Sequence, residues 1–357
     1  MVVTLWLGLL GVGYVAGRLY GRYTLRRAGD DAGRSRGTYR LLAVVGLATF
    51  AVLAFAGLID ATESALSSVH PALAGRLAAP LVWLPTAVGT IVAVLVAYLG
   101  VFPYARKRHG LEISAATAVG RLARYLTASA LFVLGIVGLY TALLEASDPS
   151  PALIPVVFLS LTTGIYGWMT YRIRLSQDIE PLTAEKRRRL EGAADRADLT
   201  ATVAGVIPGR ETEVAGLYLE GPFWNRRMYA TDYAFDAFDD DELSAACARA
   251  SAADEGRLLE RQALVTSALF GLLVTCYVWR SFALALVAVV LGWPLAVRYL
   301  QRREFAADRC AAHAVGAEAL ASAIETGADL SDDRSRLQER LTSRPSRARR
   351  LERLRNR

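Results

Sequence analysis

Glu304 and Asp308 are the residues at which chemistry would start in this chain. Four positions apart, they share one face of a helix, where two carboxylates either help to hold a metal or form a solvated surface. Histidine, the usual companion for metal work, occurs only at His70, His109 and His313, and no two are four residues apart. His313 lies nine residues beyond Glu304, about 180° around a helix, and reads as a solvated or core histidine. Cys247, Cys276 and Cys310 are an odd number without metal-ligand spacing, and Cys276 falls in an apolar stretch. A disulfide framework or a CxxC zinc site is therefore not indicated. No P-loop, nucleotide fingerprint or Ser-His-Asp set accompanies them.

The elements that must position these residues are mostly membrane helices. The 357 residues are 54% hydrophobic, more than a soluble domain needs. A bilayer core of about 30 Å takes roughly 20 apolar residues of helix, and such runs lie near 2–19, 41–59, 77–102, 126–144 and 152–170. A second pair at 264–279 and 281–299, split by Arg280, reads as a helical hairpin, giving about seven spans. Segments 20–40 and 104–125 carry most of the inter-span cations, whereas 60–76 and 145–151 carry few. The positive-inside rule then puts the N-terminus outside and residues 171–263 and 300–357 in the cytoplasm. Gly13, Gly17 and Gly21 form a small-residue stripe suited to close helix packing. Charged residues are nearly absent from the spans, which argues against a pump.

The polar regions have their own pattern. Thr183 can N-cap a basic helix. Residues 199–207, 214–220 and 227–231 read as short strands, and Asp239-Asp240-Asp241-Glu242 supplies acids to the start of a further helix. The tail from residue 334 holds ten arginines among Leu337, Leu341, Leu351 and Leu354, an amphipathic basic helix suited to anionic lipid. Without aromatic interleaving or a recognised module, it does not point to nucleic acid.

Several segments resemble a known family. Tyr229-Ala230-Thr231-Asp232 followed by Phe238-Asp239-Asp240-Asp241-Glu242-Leu243-Ser244-Ala245, then Arg303-Glu304-Phe305-Ala306-Ala307-Asp308-Arg309-Cys310-Ala311-Ala312, then Thr342-Ser343-Arg344-Pro345-Ser346-Arg347, are similar to the HtpX-like and CAAX-prenyl-protease-type membrane zinc metallopeptidases. The resemblance implies a mainly α membrane protein with a small cytoplasmic α+β domain of gluzincin type. It divides the chain into five spans over 1–175, a peptidase-like segment with an edge strand over 176–262, a membrane hairpin over 263–300, and cytoplasmic helices over 301–357. It also implies zinc in the active relatives.

The family spacing places the HExxH window on Arg249-Ala250-Ser251-Ala252-Ala253. That chemistry needs two imidazoles one helical turn apart, a carboxylate beside the first, and a third ligand from elsewhere. Arg249 and Ala253 stand where the histidines would be, Ala250 where the glutamate would be, and Arg344 where the family has a further histidine. Of the machinery the resemblance implies, Glu304 and Asp308 remain, so no bound metal is expected. Arg249 either faces water or binds Glu304 as a cation in place of the metal. The expectation is an inactive homologue embedded in the lipid bilayer, retaining a peptide or membrane-protein partner that docks on the Gly216–Glu220 edge. The alternatives are an active endopeptidase with other ligands and a seven-span carrier or receptor.

Overall fold

The computed structural model describes residues 1–26, 31–74, 78–109, 114–145, 153–210, 214–278, 282–327 and 336–356. Helices dominate, and the chain forms two compact units, Met1–Ser150 and Pro151–Arg357.

The first unit contains α1 (Val2–Arg26), α2 (Asp31–Phe55), α3 (Leu58–Val69), α4 (Ala79–His109) and α5 (Ala115–Glu145), with a short 3-10 turn at Pro71–Ala74. Gly57, at φ 83, ends α2 before the 41–59 run is complete and starts α3 in a new direction. The α1 stripe of Gly13, Gly17 and Gly21 is buried, and it faces α4. A Cβ on Gly17 would overlap the Ala97 carbonyl oxygen, and one on Gly100 would press on Tyr14. Small residues thus let the two backbones meet, where dispersion replaces the hydrophobic drive that lipid cannot supply. Trp6 Nε1 donates to the Gly89 carbonyl at 3.0 Å and links the same pair of helices.

The second unit opens with α6 (Leu153–Ser176) and α7 (Ala184–Arg196). Thr183 N-caps α7, its Oγ1 accepting from the Lys186 N–H at 3.3 Å. A three-stranded sheet follows: β1 (Thr202–Ile207), β2 (Leu217–Glu220) and β3 (Arg227–Thr231), in the order β1-β3-β2. β1 runs parallel to β3, with Val203 opposite Met228, and β2 antiparallel to it, with Tyr218 opposite Tyr229. β2 is therefore an edge strand. After the turn α8 (Ala234–Ala237), the helix α9 (Asp240–Glu255) begins with a full capping box in which Asp239 and Glu242 exchange side-chain-to-backbone bonds. Leu190, Met228, Leu243 and Cys247 form the centre of the core between the sheet and helices α7 and α9.

α10 (Leu258–Val278) packs on α6 and on the returning arm, which comprises α11 (Phe282–Val287), a π-helical segment at Ala288–Gly292 and α12 (Trp293–Val315). Arg280, the expected apex of this hairpin, lies outside the described residues. The arm does not stop at residue 299: α12 continues without a break through Glu304 and Asp308. α13 (Ala317–Thr326), α14 (Arg336–Leu341) and α15 (Arg347–Arg355) complete the chain. The basic tail is thus two short helices, not one long one. The restriction that Pro345 places on Arg344 interrupts it, and Leu354 is buried in the domain instead of facing lipid.

Among the described residues, six helices are long and apolar enough to cross a membrane: Val2–Arg26, Gly37–Phe55, Ala79–Lys107, Ala115–Gly138, Leu258–Cys276 and Ala283–Val315. The run at 152–170 coincides with α6. Substituting Val at Gly17 is expected to lower the apparent melting temperature of the detergent-solubilised chain through overpacking of about 1–3 kcal/mol. Val at Gly8, which has open space around its Cβ position, is expected to leave it unchanged.

Candidate functional site

α9 and α12 pack side by side, and their facing side chains carry the charges. Arg249, on the second half of α9, hydrogen-bonds Glu304 of α12 through one guanidinium nitrogen and places Nε 3.3 Å from Asp308 Oδ1. A second guanidinium approaches from α15: Arg350 donates Nε to Asp308 Oδ2 at 2.8 Å and Nη2 to Oδ1 at 2.7 Å. That contact is a bidentate fork on one carboxylate. Two cations and two anions therefore form a closed, neutral cluster. The Asp308 side chain is only 4% exposed and those of Arg249 and Glu304 17% and 14%, so water screens the cluster weakly. Burial works against the charge on Arg249, but Glu304 and Asp308 outweigh it and raise the guanidinium pKa above its usual value. Arg249 remains a cation at any pH the protein would meet.

Ala250 points into the core between the sheet and α9, and Ala253 is half-buried one turn beyond Arg249. Arg344 borders the same space. With Arg249, Arg350 and the β2 residues Leu217 and Tyr218 it lines a cleft of about 130 Å³. His313, Cys310 and His70 are exposed, and His109 carries no described side chain. The Cys247 thiol is buried, and burial pushes its pKa up to about 12, which rules it out as a thiolate nucleophile at neutral pH.

Two contributors are invisible to a motif comparison. Arg350 follows from the tail's own periodicity, because it lies one helical turn before Leu354 and turns inward with it. Glu242 is the other. Besides closing its capping box, it accepts from Ser322 at 2.6 Å and Thr326 at 2.7 Å, tying α9 to α13.

A tetrahedral zinc site needs three protein donors around one point, with neutral imidazole or thiolate among them. Here Glu304 is engaged by Arg249, Asp308 is held by two guanidinium groups, and a fixed positive charge lies between the two acids. The residues present do not fit zinc. Among the described residues, no group of three His, Cys, Asp or Glu side chains could hold a metal ion.

No family model matches the sequence, and no curated protein does. Among solved structures, the chain is similar to the crystal structure of S. mikatae Ste24p, with a TM-score of 0.64 at 15% identity over 98% of this chain and 99% of that one. The chain is accordingly a multi-pass membrane protein with a Ste24p-like fold.

Replacing Arg249 with Ala leaves a mostly buried carboxylate without its cation, which costs about 3–5 kcal/mol. The Arg249→Ala variant is expected to melt well below the parent. Adding Glu304→Gln to it is expected to recover part of the loss, since the orphaned charge is then gone; equal melting temperatures for parent and Arg249→Ala would show that the contact carries no energy.

Proposed function

We propose that this chain is a catalytically inactive homologue of the HtpX-like and CAAX-prenyl-protease-type zinc metalloendopeptidases, one that binds an extended segment of a peptide or membrane protein and does not cleave it. The observation that carries the reading is the Arg249 guanidinium on Glu304. In this reading Glu304 is the retained third-ligand residue, Arg249, Ala250 and Ala253 are the vacated HExxH positions, Arg344 replaces a histidine, and Asp308 persists as a structural acid. The Ste24p-like fold and the three sequence segments support descent from such peptidases. Loss of the zinc donors from a domain that otherwise keeps its framework supports inactivity.

Binding does not require the metal. An extended peptide adds to a sheet edge through main-chain hydrogen bonds. β2 pairs with β3 along one edge only among the described residues, and Leu217 and Tyr218 open onto the cleft that also receives Arg249 and Arg344. A segment laid along β2 would have its side chains pass the Arg249–Glu304 contact, where a fixed guanidinium activates no water. The seven-span arrangement, with the N-terminus outside and the peptidase-like domain in the cytoplasm, belongs to the same proposal and rests on the distribution of basic loops.

The test is the zinc content of the purified full-length chain beside a triple variant, Arg249→His with Ala250→Glu and Ala253→His. The parent is expected to hold far less than one zinc per chain. The variant is expected to gain close to one, because it restores two imidazoles at i, i+4 opposite Glu304. Stoichiometric zinc in the parent would overturn the proposal. A variant that folds and takes up no zinc would show that α9 and α12 do not frame a gluzincin site.

A further inference from the structure

The turn between β2 and β3 carries two large aromatic side chains with no core to enter. Phe223 is 50% and Trp224 71% exposed, in a domain whose other aromatics near the sheet, such as Tyr229 and Phe235, are buried. They are stacked edge to face, ring centroids 4.8 Å apart, and the Arg257 guanidinium lies 4.8 Å from the centre of the Phe223 ring. An exposed aromatic pair with a cation over it is costly to leave in water and well suited to a surface that is apolar below and anionic above.

The turn is moored where such a surface would be. Gly221 N–H donates to the Thr170 carbonyl of α6 at 3.1 Å, and Phe223 N–H to the Tyr166 hydroxyl at 3.3 Å. That hydroxyl in turn donates to Glu260 at 3.0 Å. Glu260 lies in the first turn of α10, which begins the candidate span Leu258–Cys276. Arg226, its side chain 5% exposed, bonds Asp254 at 2.5 Å and Glu260 at 2.6 Å, and also holds the Gly221 carbonyl. Glu220, at the end of β2, accepts from the Ile173 N–H of α6 at 2.5 Å. Tyr166 lies six residues before Arg172, or about 9 Å farther down α6 toward its apolar half. Two helices therefore fix the turn from both sides at the depth where their polar ends meet their apolar bodies.

We propose that the β2–β3 turn is a membrane-interface anchor, in which Phe223 and Trp224 sit in the headgroup layer of the leaflet facing the peptidase-like domain while Arg257 meets lipid phosphate. Trp at such interfaces places its ring against the acyl boundary and its N–H in the hydrated layer. The anchor fixes the height of β2 above the bilayer, so a segment docking on that edge meets it within a few residues of the membrane surface. It does not depend on whether the α9–α12 site ever held a metal.

The experiment uses the full chain in lipid nanodiscs and takes the tryptophan emission of the parent minus that of Trp224→Phe, which isolates Trp224 among the six tryptophans. Nanodiscs made with lipid brominated near the headgroup are expected to quench this difference signal by roughly half relative to unbrominated lipid, with aqueous acrylamide quenching it weakly. Strong acrylamide quenching without lipid quenching would place Trp224 in water and overturn the proposal. Shielding from both quenchers would also overturn it, assigning the turn to a protein contact instead.

Discussion

The guanidinium of Arg249 between Glu304 and Asp308 sets the relation of three helices that are far apart in sequence, α9, α12 and α15. Once α9 brings a buried cation to α12, Glu304 is paired and Asp308 is half satisfied. Arg350 then completes Asp308, and α15 is held against α12. A buried ion cluster adds little net stability compared with an apolar packing of the same volume, although breaking it is expensive. Its effect is therefore to fix register. Structural zinc contributes about 10–16 kcal/mol in small peptide domains, and a guanidinium cannot match that. The strength of the interface must come from packing. Ala248, Ala311, Leu320, Ala321, Ile324 and Leu354 form an apolar cluster beside the charges, joining α9, α12, α13 and α15. The alanines keep the helix axes close enough for a side chain of arginine length to span the gap.

Much of this architecture could be read in the sequence because its signals are local. The caps at Thr183 and Asp239, the three strands and the long apolar helices each follow from a few adjacent residues whose propensities and hydrophobic periods agree. The helix boundaries that differ have tertiary or backbone causes. Gly57 adopts a left-handed conformation that no hydropathy run reveals, and α12 carries its helical phase from the membrane arm into the charged stretch. A high density of arginine in the tail suggests lipid, yet Arg350 and Leu354 share one face of α15 and that face is inside. Glu242 is an N-terminal acid of α9 by local pattern, but its bonds to Ser322 and Thr326 join segments 80 and 84 residues apart, which no local pattern encodes.

The same limit applies to the candidate site. The Arg249–Glu304 pair is among the contacts that the spacing of the flanking segments suggests, since it places the two residues on facing stretches of α9 and α12. What the spacing does not give is the second guanidinium on Asp308, because α15 reaches α12 through packing that depends on the whole domain. Tertiary contact also decides the fate of the exposed acids and thiols. Cys310 and His313 share α12 with Glu304 but face outward, so proximity along the helix does not make them part of the cluster.

Two constraints at opposite ends of β2 define what the domain can present. At the Leu217 end the strand borders the cleft that contains Arg249, and at the Glu220 end it is tied to α6 by the Glu220 carboxylate on the Ile173 N–H and by the Gly221 N–H on the Thr170 carbonyl, and by Arg226 to the start of α10. Neither end relies on a metal. The groups that fix the Glu220 end of the edge belong to the backbone and to buried ion pairs of Arg226, which reach the start of α10 through Glu260 and the last turn of α9 through Asp254. The two ends are not independent: Ala250, next to Arg249, packs in the core that also takes Leu217 and Leu219 of β2, so α9 carries both the charge cluster and the support of the edge.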